Sequence, residues 1–174
     1  MLWKNTLLSF GNNRTFSYPD DFVGYNLPSF VLDEVYSDFG PKDQNEYDDV
    51  MLKIVDRIWA KLAKSGKPYG SFYLIGVPKG GDAKRILKHE IAHGLYSTNI
   101  EYKTAMDNQL KLLPPIKLKK LKSIIGRDYA KRVIIDECQA YMSTGLTEET
   151  EKLKFTKSEL DSFRKIFRRF TKKK

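Results

Sequence analysis

At 174 residues, with 41% hydrophobic and 13% aromatic residues and only 11 Gly and 7 Pro, the composition is that of one folded, globular domain and excludes a disordered or fibrous chain. The net charge of +9 is uneven: residues 1–60 contribute −5 and the remainder +14. A single cysteine, Cys138, excludes an internal disulfide and a cysteine-rich zinc site.

No apolar run approaches the roughly 18 to 20 residues of a membrane span, and MLWKNTLLSFGNNR turns polar before a signal-peptide core forms. The expectation is a monomer without a membrane span, starting near Met1, in a cytoplasmic, reducing compartment. Two basic runs, KLKKLK at Lys117–Lys122 and RKIFRRFTKKK at Arg164–Lys174, offer an acidic or nucleic-acid partner a charged surface, or are simply solvated.

In chain order, residues 1–42 read as an irregular N-terminal segment with short strands around Thr15–Tyr18 and Phe30–Val35. Gln44–Ser65 reads as a core-packing helix, with an apolar stripe from Tyr47 to Leu62, an Asp43/Glu46 capping box and Gly66 as its stop. GSFYLIGVP, Gly70–Pro78, reads as a strand, and Asp82 as the N-cap of a helix over Ala83–Tyr96.

Glu101–Leu112 is expected to be helical. Pro115 suits the first turn of a helix that turns Ile116, Leu118, Leu121, Ile124 and Ile125 inward and ends at Gly126. Arg127–Ser143 carries a helical stripe of Ala130, Val133, Ile134, Ala140 and Tyr141, with Glu137 inside it. The closing helix, Ser158–Phe170, has a Thr156/Glu159 capping box, and residues 171–174 read as a disordered basic tail.

The chemistry lies in ILKHEIAHGLYS, Ile86–Ser97, which holds both histidines of the chain. Four residues apart on a helix, His89 and His93 present imidazoles to one ion, while Glu90, about 100° around, is placed to hold a water rather than to ligate. The chance of this HExxH arising by accident is on the order of one in 1,700. A zinc hydrolase needs a third ligand and an open position. With no further histidine, that ligand is a carboxylate. Glu137 is the first candidate, because in an apolar stripe its charge requires a cation opposite. Asp136, Glu101 and Asp107 are the alternatives, Asp136 falling on another face as a neighbour of the ligands or a surface residue.

HEIAH followed by a glutamate on a later helix resembles the zincin metallopeptidases in their gluzincin arrangement, represented by thermolysin, and DECQAY at Asp136–Tyr141 resembles the glutamate helix of compact members such as the phage-repressor-cleaving immunity peptidases. The likeness covers about residues 70–143, and the 43 residues between His93 and Glu137 would include a helical insertion over 97–125. It implies an α+β, mostly helical zincin-like metallopeptidase domain spanning 1–174, with a small sheet before the HExxH helix. It further implies Zn2+ held by His89, His93 and Glu137, Glu90 as general base, a protein or peptide substrate, and the strand Phe72–Val77 as an edge for substrate pairing. Tyr141, one turn after Glu137, is the first choice to bind the developing oxyanion, ahead of Tyr96 and Arg127; each tyrosine also suits a core position. The competing expectation is a zinc-containing, non-catalytic binding module for nucleic acid or an acidic protein.

Overall fold

The computed structural model describes residues 25–38, 46–66, 72–77 and 79–172. It is mostly helical with a small antiparallel sheet, the α+β class expected. In chain order, the described elements are β1 (Tyr25–Pro28), α1 (Ser29–Asp38), α2 (Glu46–Lys64), β2 (Tyr73–Gly76), α3 (Ala83–Thr98), α4 (Ile100–Lys111), α5 (Pro115–Ile125), α6 (Ile134–Thr144), α7 (Glu148–Glu151) and α8 (Lys157–Thr171). The Thr15–Tyr18 strand and the Asp43 cap lie outside the described residues. None of the described helices is long and apolar enough to cross a membrane.

β1 pairs antiparallel with β2 in the register Tyr25↔Gly76, Asn26↔Ile75, Leu27↔Leu74 and Pro28↔Tyr73. The Phe30–Val35 strand is corrected, since those residues belong to α1. Pro28 has no N–H with which to extend the ladder. As a helix, α1 buries Ser29 and Leu32 and leaves Phe30 62% exposed. The stripe of α2 is also less buried than its period suggests: Val55 is enclosed, whereas Val50 and Ile54 are exposed. Its Trp59 meets Phe72 edge-on beside the sheet, away from the main core.

That core is built from α3, α4, α5, α6 and α8, with Tyr102, Met106, Leu121, Cys138, Met142 and Phe163 at its centre. α6 is the hub, packing against α3, α4, α5 and α8. Buried Gln139 binds three helices together: it accepts from Tyr102 Oη at 2.9 Å and donates to Ala92 O at 3.3 Å and Asp136 Oδ1 at 2.8 Å. A buried polar side chain with its bonds made fixes the relative placement of the elements that it joins.

The α3–α4 corner turns on Asn99, whose extended backbone ends one helix while its side chain accepts from Tyr102 N of the next at 3.0 Å. Asp82 stands at the N-cap position of α3, but its carboxylate pairs with Arg85 instead of capping. Pro115 opens α5 and Gly126 closes it. A Cβ at Gly126 would lie 2.9 Å from Lys122 O and 3.1 Å from Ile134 Cδ1, so glycine permits the α5–α6 turn.

Three further expectations are corrected. Ile116, in the first turn of α5, is 72% exposed rather than inward. α6 begins at Ile134, not Arg127, and Ala130 is exposed. Residues 127–133 carry Arg127, Lys131 and Arg132 and have too narrow an apolar face to bury as a helix. Thr171, expected in a disordered tail, is the last residue of α8, and its hydroxyl donates to Phe167 O at 2.9 Å.

The Thr156/Glu159 capping box forms as expected, and Glu159 also pairs with Lys117 at 2.9 Å, tying the first basic run to α8. Phe163 and Phe167 are buried, and Phe170 meets Tyr102 edge-on with ring centroids 5.4 Å apart. Lys165, Arg168 and Arg169 remain exposed on the opposite side.

Because Phe163 is fully buried in this cluster, Phe163→Ala is expected to lower unfolding stability by about 3 to 5 kcal/mol in denaturant titration; a loss below about 1 kcal/mol would show that α8 is not part of the core.

Candidate metal centre

α3 brings His89 and His93 one turn apart, with ring centroids 4.8 Å apart and planes at 83°. Their Nε2 atoms are 3.2 Å apart. Glu137, in the first turn of α6, faces both: Oε2 is 3.5 Å from His89 Nε2, and Oε1 is 3.6 Å from His93 Nε2. Bonds of ~2.0 to 2.1 Å meeting at a tetrahedral angle place ligand atoms about 3.3 to 3.4 Å apart. The Nε2–Nε2 separation of 3.2 Å is close to that spacing, and each Glu137 oxygen faces one imidazole at 3.5 or 3.6 Å, so the three side chains could hold one metal ion.

Hydrogen-bond direction strengthens this. His93 Nδ1 lies 2.9 Å from Asp136 Oδ1. An ionised carboxylate only accepts, so Nδ1 carries hydrogen. His89 Nδ1 lies 3.4 Å from Thr144 Oγ1, a hydroxyl whose hydrogen is committed to Ala140 O at 2.7 Å. Nδ1 is the donor there as well. A hydrogen on Nδ1 leaves Nε2 of the neutral imidazole as the atom with a free lone pair. The two Nε2 atoms face the Glu137 carboxylate, one to each oxygen, and buried Glu137 Oε2 has no hydrogen-bond partner of its own. Without a cation this arrangement is repulsive. His89, His93 and Glu137 are the group among the described residues able to hold a metal ion.

The electrostatics agree. Burial disfavours the charged form of His93, but the hydrogen bond to Asp136 and the charges of Asp136, Glu137 and Glu90 outweigh it, and its pKa lies above the usual 6.5. The surroundings favour positive charge, as a proton or as a metal. Asp136 also accepts from Gln139 and so supports His93 from behind, consistent with its separate helical face.

Glu90 is 7% exposed and faces the sheet, where its Oε2 accepts from Asn26 Nδ2 of β1. Tyr73 Oη of β2 donates to Asn26 Oδ1 at 2.6 Å. Burial, then the charges of Asp136, Glu90 and Glu137, push the Tyr73 pKa far upward, so the phenol stays protonated. Its ring lies across Gly94, where a Cβ would be only 3.0 Å from Tyr73 Cδ1. Glycine directly after His93 thus lets the sheet approach the metal helix.

Tyr141 packs its ring on His89, with centroids 4.6 Å apart, and its hydroxyl is 3.0 Å from that of Tyr129. Burial is the main cause raising the pKa of both phenols, which are neutral donors at pH 7.

The other candidates lie elsewhere. Tyr96 donates to Asp107 at 2.5 Å, and Asp107 pairs with Lys103 at 2.7 Å. Arg127 pairs with Glu149 at 3.4 Å on the surface, and Glu101 is exposed. Cys138 is buried in the core, and burial pushes its thiol pKa up to about 12. The sequence reading missed Asn26, Tyr73, Tyr129 and Thr144. Thr144 was accessible from helical spacing, seven residues after Glu137; Asn26 carries no local signal.

No family model matches this chain, and neither a curated protein nor a solved structure does. The site is therefore read from its own geometry.

The His93 shift gives a signed prediction. Its folded pKa exceeds the unfolded value, so in metal-free protein its stabilising contribution is complete below pH ~6.5 and is lost as pH rises through the folded pKa. Denaturant midpoints of chelator-stripped protein should therefore fall between pH 6 and pH 9, while zinc-loaded protein should lose its added stability toward acid as protons displace the metal. A metal-free midpoint that does not change over that range would contradict the assignment.

Proposed function

We propose that this chain is a zinc-dependent metallopeptidase that hydrolyses peptide bonds of a protein substrate. The observation that carries the reading is the grouping of His89 Nε2, His93 Nε2 and the two Glu137 carboxylate oxygens, with contacts of 3.2 to 3.6 Å between neighbours. Glu90, buried directly after the first ligand, supports catalysis over a purely structural ion, since a structural site has no use for a carboxylate there.

His89, His93 and Glu137 would hold the zinc, which when bound would supply Lewis-acid polarisation and acidify a water. Glu90 would take a proton from the attacking water as the water oxygen bonds to the carbonyl carbon, and return it to the leaving amine as the C–N bond breaks, yielding a carboxylate and an amine. Tyr141, neutral and packed on His89, donates toward the oxygen on which charge develops, and Tyr129 orients its hydroxyl. Asp136 and Thr144 hold the two imidazoles in the tautomers that bind metal. An extended substrate is favoured by the position of β2: among the described residues it has one partner, β1, which leaves a backbone edge for a peptide.

Glu90→Gln is expected to retain about one zinc per chain and to lose peptide hydrolysis by roughly 10²- to 10⁴-fold. Loss of zinc in that variant, or undiminished cleavage, would overturn the mechanism. Tyr141→Phe is expected to lower kcat by roughly 10- to 100-fold with zinc content unchanged, in a peptide-cleavage assay with metal analysis.

A further inference from the structure

The carboxylate of Glu90 is met from β1 rather than from its own helix. Strand register explains how. Asn26 lies opposite Ile75, and Ile75 shares a face of β2 with Tyr73 two residues earlier, so Asn26 and Tyr73 emerge on the face turned toward α3. The hydrogen bonds then have one consistent direction. Tyr73 Oη, a protonated phenol, donates to Asn26 Oδ1 at 2.6 Å, which turns the amide nitrogen of Asn26 to Glu90 Oε2. A carboxylate there can only accept. The chain of contacts closes on α3, because the Tyr73 ring is seated on Gly94, one turn after Glu90.

We propose that Asn26 is the positioning residue for the general base: by holding Oε2 of Glu90 through a carboxamide oriented by Tyr73, it leaves Oε1 to take the proton of the attacking water. This rests on the peptidase reading of Glu90. A carboxylate free to rotate about its last torsion loses the near-attack geometry on which proton transfer depends, and misplacement by about 1 Å costs on the order of 10²-fold. The residue comes from a segment 64 positions before the base and outside the span of the HExxH resemblance.

The test uses the full-length, zinc-loaded protein and two variants. Asn26→Ala should lower kcat by roughly 10- to 100-fold, with KM within about threefold and zinc content unchanged. Tyr73→Phe keeps the ring on Gly94 and removes only the hydroxyl, so it should retain the fold and lower kcat by a smaller factor. The second readout does not need activity: the side-chain amide ¹H–¹⁵N resonances of Asn26 should shift on Glu90→Ala and on Tyr73→Phe, with or without zinc. If the wild type cleaves no peptide, the peptidase reading fails while the amide resonances still test the contact. An unchanged kcat in both variants, or amide resonances that ignore Glu90→Ala, would overturn the proposal. So would a rise in kcat, which would make β1 a block on the base instead of its support.

Discussion

The Nε2 atoms of His89 and His93 and the two carboxylate oxygens of Glu137, from two helices, face one another with contacts of 3.2 to 3.6 Å. This convergence is the constraint around which the rest of the chain is arranged. A buried carboxylate without a partner costs several kcal/mol, and facing it with two imidazole lone pairs adds repulsion. A divalent cation reverses the sign of each of these terms. A metal ion held there would cross-link α3 and α6 and so link metal affinity to folding free energy.

The scaffold makes that juxtaposition possible by using α6 for two purposes. Its Cys138, Ala140 and Met142 lie in the apolar core, while Glu137 and Thr144 reach the histidines. Gln139 then joins α6 to α3 and α4 through buried hydrogen bonds, and Asp136 passes the same network to His93. Ligand geometry therefore depends on core packing. On the other side of α3, the two-stranded sheet approaches closely because Gly94 has no side chain, bringing Asn26 and Tyr73 to Glu90. One helix thus carries His89 and His93 toward α6 and Glu90 toward the sheet.

The legible parts of the sequence were those with local periodicity. The HExxH helix, the Pro115 start and the α8 capping box all depend on interactions within a few residues. Glu137 was legible for a different reason, as a charge within an apolar stripe requires compensation. What could not be read depended on distant contacts. Phe30–Val35 suits strand or helix by composition, and the choice follows from Pro28 ending the ladder with β2. The stripe beginning at Ala130 failed because the Gly126 turn and the cations after it leave no face to bury. Asn26 reaches Glu90 across 64 residues, a proximity that only strand pairing creates.

The claim that His89, His93 and Glu137 are ligands of one ion is tested most directly by X-ray absorption at the zinc edge of the loaded protein. The expected spectrum is that of one zinc per chain with two imidazole nitrogens and carboxylate oxygen at ~2.0 to 2.2 Å and no sulfur. A sulfur scatterer near ~2.3 Å, an imidazole count other than two, or failure to retain stoichiometric zinc would contradict it.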